Sequence, residues 1–163
     1  MTTSNFFIYN VLKSMSNFGG VYNTSTIASV KFSHHPCYIV TNLSPQGSPG
    51  SHWVGIVLCK DSAFYFDSFG RKCDSQKIKK YFQSLGYKSY NYSKKQIQHI
   101  FSNHCGYFVM SYFILLNRGW TNDEFLSLFK NQGISNDKLA KKIVDDFIIC
   151  TRKKIEKNKK IKK

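Results

Sequence analysis

Asn103-His104-Cys105-Gly106-Tyr107-Phe108 opens an apolar run that continues to Leu116. The run is too short to span a bilayer and Ser111 interrupts it, so it predicts a buried helix. Because the residues are apolar almost all round, we expect this helix to be central. Cys105 would lie at or near its N-terminus, where free N–H groups and the helix dipole favour a thiolate. Taken alone, a buried structural cysteine is the commoner interpretation.

A predicted hairpin supplies two partners for this thiol. The segment His52–Cys59 has the pattern of a strand, Lys60–Ser62 that of a turn, and Ala63–Asp67 that of a second strand. Antiparallel pairing brings the end of the second strand beside the start of the first, so Asp67 is expected near His52. An imidazole there can take a proton from the thiol, and a carboxylate can orient the imidazole.

Each of these residues also has a simpler interpretation. His52 follows a Pro/Gly/Ser-rich loop, Ser44–Ser51, and could be a surface histidine, while Asp67 could be a turn residue. Three other histidines compete for the role of base, although two precede Pro36 without an obvious scaffold and one adjoins the cysteine: His34, His35 and His104.

Gln98 lies seven residues before Cys105. A side-chain amide can donate to a developing oxyanion together with the backbone N–H of the nucleophile. Gln96 is the alternative donor, and a solvated loop glutamine is the simplest interpretation of either residue.

The remaining patterns predict a single domain over residues 1–150. A first helix is capped by Ser4, Gly19-Gly20 ends it, and a polar loop follows. The other predicted elements are a strand at Cys37–Val40, a helix capped by Asp74 or Ser75 that runs to about Leu85, a strand at Tyr87–Tyr92, and helices near Asn122–Lys130 and Ser135–Ile149.

Composition limits the class of protein. The 163 residues include 14 Phe and 10 Tyr, enough for one well-packed core. The five cysteines are an odd number and have no paired spacing. This argues against a disulfide framework and favours a reducing compartment. The polar N-terminus has no secretory signal pattern, so we expect a protein that is not secreted. His35-x-Cys37 is the one close His/Cys pairing, and we predict no metal site.

The net charge of +15 predicts a polyanionic partner, most simply nucleic acid. Residues 151–163 hold eight Lys or Arg against one glutamate and are expected to form a flexible basic tail. A solubilising tail and a nuclear-localisation segment are the alternatives. The candidate nucleic-acid-binding residues are Arg152, Lys153, Lys154, Lys157, Lys159 and Lys160.

With His52-Trp53, Phe66-Asp67-Ser68-Phe69-Gly70, Gln98 and Cys105-Gly106-Tyr107-Phe108 in this order, the chain resembles the adenovirus endopeptidase (adenain) group of cysteine proteases. That group is related to the Ulp1-type SUMO and ubiquitin-like proteases. The spacing from Gln98 to Cys105 matches the viral enzymes, and Ser68 replaces the proline of their Phe-[Asp/Glu]-Pro-Phe-Gly motif. Similar proteases occur in Polinton-type DNA elements.

The resemblance implies an α+β cysteine-protease fold, in which the central helix carries the nucleophile and packs against a mixed, largely antiparallel sheet. His52, Asp67 and Cys105 would be catalytic, and Gln98 would complete the oxyanion hole. The substrates would be viral capsid or core precursors with Gly-Gly or Gly-X sites, held in a groove near Trp53 and Gly19-Gly20. The alternatives are a deconjugating protease for SUMO- or ubiquitin-like proteins, and a non-catalytic nucleic-acid-binding protein with a degenerate protease core.

The resemblance also implies partners. DNA would act as an activator, no metal or organic cofactor is needed, and we expect a monomer in the virion and in the host nucleus or cytoplasm. In the adenoviral enzymes a cysteine upstream of the glutamine tethers an activating peptide. Tyr87 occupies the matching position here, so a peptide tethered by a disulfide is not expected.

Overall fold

The computed structural model describes residues 3–45 and 52–161, with side chains described through Asn158. Most of the predicted Ser44–Ser51 loop lies outside these ranges. In chain order the elements are α1 (Asn5–Leu12), β1 (Phe18–Asn23), a short 3-10 turn (Ile27–Ser29), β2 (Cys37–Asn42), β3 (Trp53–Leu58), β4 (Ala63–Phe66), α2 (Gln76–Ser84), β5 (Asn91–Tyr92), α3 (Cys105–Leu116), α4 (Asn122–Ser127) and α5 (Ser135–Ile161).

The five strands form one mixed sheet in the order β1-β2-β3-β4-β5. The central pairs β2–β3 and β3–β4 are antiparallel, and the outer pairs β1–β2 and β4–β5 are parallel. The predicted hairpin is confirmed, because Leu58 pairs with Ala63 at its turn and Gly55 pairs with Phe66 at its open end. The predicted α+β class with a mixed sheet is likewise confirmed.

Gly19 and Gly20 lie inside strand β1, although the sequence predicts a break followed by a loop. Two features make glycine suitable in this strand. A Cβ at Gly19 would lie 2.5 Å from Cys37 Sγ, and Gly20 has a φ of +116° where the pairing register shifts. Pairing with the buried strand β2 therefore outweighs the weak intrinsic strand preference of two glycines.

Helix α3 packs on one face of the sheet, with its axis close to β3. The closeness depends on Gly55, because a Cβ there would lie 3.0 Å from Phe113 Cζ. Around α3 the aromatic rings form a continuous core, in which the rings of Phe66 and Tyr112 stack at 4.3 Å between centroids. The opposite face of the sheet is covered by α2 and the 3-10 turn. Burial of α3 on all sides explains why its sequence lacks a polar face.

The predicted caps of two helices are confirmed. The Ser4 side chain accepts from Phe7 N at the start of α1, and the Ser75 side chain accepts from Ile78 N at the start of α2. The predicted strand at Tyr87–Tyr92 is only Asn91–Tyr92. Among the described residues, no helix is both long enough and apolar enough to cross a membrane.

Helix α5 continues well past its predicted end at Ile149. The segment expected to be a separate flexible tail from residue 151 is helical as far as Ile161. The physical reason is that no glycine or proline follows Gly133, and lysine, glutamate and arginine are good helix formers. From Arg152 to Asn158 the side chains are exposed, so this part of the helix is not held by the core.

Candidate active site

Cys105 is the first residue of α3. The first hydrogen bond of this helix runs from Phe108 N to His104 O at 3.1 Å, so the N–H groups of residues 105–107 have no acceptor within the helix. The capping residue His104 makes no side-chain cap bond to them. Cys105 is 7% exposed, so its sulfur is at the surface of the core and next to the positive end of a helix dipole.

His52 and Asp67 meet at the open end of the hairpin, as its antiparallel pairing predicts. His52 Nε2 lies 2.7 Å from Asp67 Oδ1, and the imidazole also packs against the Phe69 ring at 4.9 Å between centroids. The carboxylate is itself fixed, because the same Oδ1 accepts from Phe69 N at 2.8 Å. Ser93 Oγ donates to Asp67 O and accepts from Asp67 N, which anchors the backbone at this point.

The imidazole interacts with the thiol as well as with the carboxylate. Burial lowers the pKa of His52, but hydrogen bonds to Asp67 and Cys105 and the negative charges of both groups outweigh burial and raise that pKa to about 9. Since Nε2 faces Asp67, Nδ1 is the ring nitrogen left for the sulfur. The three groups therefore form one connected set in which a charged imidazole is favoured at neutral pH.

Gln98 is 1% exposed and its side-chain amide is held at both ends. Oε1 accepts from Ser68 Oγ at 2.6 Å, and Nε2 donates to Ser102 O at 2.9 Å. The alternative donor, Gln96, is turned elsewhere, with its Nε2 donating to the carbonyl oxygen of Gln98 at 3.0 Å. The Gln98 amide thus lies between the Asp67 turn and the loop that enters α3.

Backbone hydrogen bonds join the turn that contains Asp67 and Ser68 to the segment that contains Gln98. Ser68 O accepts from both Ile97 N (2.9 Å) and Gln98 N (3.0 Å). Gly70 has a φ of +70°, and a Cβ there would lie 2.8 Å from Gln96 N, so only glycine allows the turn to approach this strand-like segment. The turn that follows β4 therefore positions Asp67 and Gln98 together.

Several contributors to this arrangement could not be predicted from the sequence. Ser93 and Asn136 show no local signal, because each acts through a backbone partner more than 25 positions away. Asn136, on α5, donates to Ile97 O at 2.8 Å and supports the Gln98 segment from the opposite side. Ser68 did have a signal, since it replaces the proline of the motif that the chain resembles.

The competing histidines face other partners. His34 Nε2 contacts Ser16 O at 2.8 Å, and His35 Nδ1 contacts Leu58 O at 3.1 Å, at the far end of β3 from His52. His104 adjoins Cys105 in sequence, but its Nδ1 faces Asp137 on α5 at 3.3 Å. His52 is therefore the histidine that this fold brings to Cys105.

The sheet register separates the two parts of the predicted groove, Trp53 and Gly19-Gly20. Gly20 pairs with Ile39, which pairs with Ile56, three residues along β3 from Trp53. Strand spacings of about 4.8 Å and a rise of about 3.4 Å per residue put Gly20 roughly 14 Å from Trp53. Both glycines take part in the packing of β1, where a Cβ would meet Cys37 or Tyr22.

Trp53 is buried and is covered by the N-terminal segment. Its Nε1 donates to Thr3 O at 3.0 Å. Thr3 also packs on the start of α3, because a Cβ at Gly106 would lie 1.9 Å from Thr3 Oγ1. Glycine after Cys105 therefore makes room for the N-terminal segment, a role that its place in the motif does not indicate.

Other cysteines have different surroundings. Burial raises the pKa of both Cys37 and Cys73 to about 11, which keeps these thiols protonated. All five cysteines are free. Within residues 3–45 and 52–161, no group of three or more His, Cys, Asp or Glu side chains could hold a metal ion. At Cys105 the described residues thus place a free thiol close enough to the His52 imidazole to affect its pKa, an arrangement suited to nucleophilic attack.

Comparison with known proteins gives a match in structure alone. No protein-family model and no curated protein matches the chain. Among solved structures, the crystal structure of the ASFV pS273R protease is similar at a TM-score of 0.52 and 15% identity, over 85% of this chain. The match spans 66% of that protease. The chain described here therefore has an α+β fold similar to that of this protease.

Proposed function

We propose that this protein is a cysteine endopeptidase in which Cys105 is the nucleophile, His52 the general base and acid, and Asp67 the residue that orients His52. One observation carries the proposal. His52 Nε2 lies 2.7 Å from Asp67 Oδ1, and Asp67 together with Cys105, at the N-terminus of the central helix, raises the pKa of His52 to about 9 against the lowering effect of burial. The similarity of the fold to that of a viral cysteine protease supports it.

The chemistry follows from these positions. The Cys105 thiolate attacks the carbonyl carbon of the scissile bond, and the carbonyl π electrons move to its oxygen. The N–H of Cys105 and Nε2–H of Gln98 stabilise this oxyanion. When the C–N bond breaks, imidazolium His52 gives its proton to the leaving amine. Neutral His52 then takes a proton from water, whose oxygen attacks the thioester, and the departing thiolate completes the cycle.

For the substrate, we propose viral capsid or core precursors cleaved at Gly-Gly or Gly-X sites. The support is the adenain-like order and spacing of the motifs around His52, Asp67, Gln98 and Cys105, together with a structural neighbour that is itself a viral protease. A second candidate is a deconjugating protease for SUMO- or ubiquitin-like proteins, which the Ulp1-like fold favours.

A substrate comparison tests the proposal. We expect the protein to cleave peptides with Gly-Gly or Gly-X sites and to react slowly with a probe built on a ubiquitin-like C-terminus. Turnover and probe labelling are compared at equal concentrations, with Cys105→Ala as the control. Preferential labelling by the ubiquitin-like probe would favour the second candidate. Absence of both reactions at Cys105 would indicate a degenerate core and refute the protease proposal.

We also propose that DNA binds to the exposed basic end of α5 and activates the protease in the virion and in the host nucleus or cytoplasm. Arg152, Lys153, Lys154 and Lys157 are exposed there; the side chains of Lys159 and Lys160 lie outside the described part. Any activating peptide would not be disulfide-bound at the adenoviral position, because Tyr87 lies there with its hydroxyl donating to Cys59 O.

Changing the four described basic residues to glutamine should weaken DNA binding and make it less dependent on salt. Removing one phosphate contact reduces the slope of log K against log salt by about 0.9, so a decrease of up to about 3.6 in this slope is expected. Fluorescence anisotropy with duplex DNA at several salt concentrations measures it. A variant with the same charge change elsewhere, at Lys60, Lys77, Lys80 and Lys88, is the control. Equal decreases in the two variants would contradict a specific role for α5.

A further inference from the structure

The hydroxyl of Ser68 contacts an amide that the proposed mechanism uses, although Ser68 has no part in that mechanism. Ser68 is fully buried, and its Oγ lies 2.6 Å from Gln98 Oε1. The direction of this hydrogen bond follows from the other end of the amide. Ser102 O can only accept, so the Gln98 atom 2.9 Å from it is the donor Nε2, which leaves Oε1 facing Ser68. Ser68 therefore donates.

The hydrogen bond from Ser68 also affects the second hydrogen on Gln98 Nε2. Nε2 carries two hydrogens, and one is used by Ser102 O. The other contact of Nε2, to Ser102 Oγ, is long at 3.4 Å and can be exchanged for a stronger acceptor. A hydrogen bond received at Oε1 polarises the amide and makes its N–H groups better donors. An oxyanion is such an acceptor, and it develops only during the reaction.

We infer that Ser68 is a positioning residue for the reaction proposed above. It holds Gln98 by its Oε1 so that Nε2–H is kept ready for the oxyanion, and it strengthens that donor. The inference rests on the proposed function, since it assigns Ser68 a role only through Gln98. Proline, which occupies the corresponding place in the motif that the chain resembles, has no hydroxyl and could not make this contact.

The structural role of the Ser68 backbone can be separated from the positioning role of its side chain. The backbone of Ser68 already joins the two segments, because its carbonyl oxygen accepts from Ile97 N and Gln98 N. The side chain adds the single contact to Gln98 Oε1. Ser68→Ala keeps both backbone bonds and changes the volume by one oxygen atom, so the fold should be retained while the amide loses one of its two anchors.

The test compares two reactions of Cys105. Hydrolysis of a peptide passes through an oxyanion, whereas alkylation by iodoacetamide displaces iodide at a saturated carbon and forms none. We expect Ser68→Ala to lower kcat about 10-fold with little change in KM, a part of the roughly 10²- to 10³-fold loss expected when an oxyanion donor is removed. The alkylation rate should remain within about twofold of that of the unmodified protein, since thiolate reactivity depends on its pKa and access rather than on Gln98.

A double-mutant cycle with Gln98→Ala identifies the partner. In the Gln98→Ala background, Ser68→Ala should cause no further loss of kcat. Ser68→Thr, which keeps the hydroxyl, should restore most of the activity. If Ser68→Ala fails to fold in a thermal melt, Ser68→Cys, a near-isostere with a weaker donor, replaces it, with alkylation followed on the peptide that contains Cys105.

Each outcome separates this inference from the proposed function. An equal loss in the two backgrounds, or a parallel loss of alkylation and hydrolysis, would overturn the role of Ser68 while leaving the protease intact. An unchanged kcat in Ser68→Ala would likewise overturn the role of Ser68 and leave the protease assignment standing. If the unmodified protein neither hydrolyses peptides nor is alkylated at Cys105, the proposed function itself fails and the inference fails with it.

Discussion

Cys105→Ala is expected to reduce peptide cleavage by more than about 10⁴-fold, because removing the nucleophile of such a set leaves only binding and oxyanion stabilisation. The substitution deletes one sulfur atom at the surface of the core, so the fold should persist. The measurement is initial rate on a Gly-Gly peptide, together with the mass of the protein after treatment with a thiol-reactive probe. We expect the probe to leave residue 105 unmodified and the rate to fall to background.

Cys150→Ala is the matched control, since Cys150 is free, exposed and on α5. It should remove a site of non-specific labelling without changing the rate of cleavage. DNA binding should be the same in both variants, because neither changes the charge of the basic segment. Persistent turnover by Cys105→Ala would refute the assignment of the nucleophile, whatever the labelling pattern.

Asp67→Asn is expected to lower kcat/KM by about 10²-fold or more. The asparagine oxygen can still accept from His52 Nε2 and from Phe69 N, so the geometry is retained while the negative charge is lost. That charge helps to raise the pKa of His52 to about 9. Without it the imidazole loses its proton at lower pH and can no longer protonate the leaving amine.

The pH profile of kcat/KM separates this effect from misfolding. In the unmodified protein the rate should fall as pH rises through about 9, where His52 loses its proton. In Asp67→Asn this alkaline limb should move to lower pH. Asp137→Asn is the matched control, because it removes a carboxylate from His104 instead, and it should leave the limb in place. An unchanged limb in Asp67→Asn would refute the pairing of Asp67 with His52.

The free energy of unfolding should also depend on the titration of His52. The pKa of His52 is raised from 6.5 in the unfolded chain to about 9 in the folded one. The stabilisation it contributes is therefore complete below pH 6.5 and is lost as pH rises through about 9, with a magnitude on the order of 3 kcal/mol. Urea denaturation at a series of pH values should reveal this loss in the unmodified protein, and a smaller one in Asp67→Asn.

Local patterns in the sequence were sufficient for the central helix, the hairpin and the caps at Ser4 and Ser75. Each depends on interactions within a short segment: the apolar run of Gly106–Leu116, the turn at Lys60–Ser62, and a side chain that reaches an N–H three residues away. The proximity of His52 to Asp67 was predictable for the same reason, since an antiparallel hairpin has its register set by its own turn.

Other features depend on contacts between distant segments. Strand β1 exists because β2 offers it a partner, with Gly20 opposite Ile39, and long-range pairing of this kind leaves no local pattern. The union of the Asp67 turn with the Gln98 segment depends on backbone contacts across 30 positions and on the close approach at Gly70. Local sequence is therefore sufficient to name the residues to which we assign the chemistry, whereas tertiary packing determines how Ser68, Ser93 and Asn136 hold them.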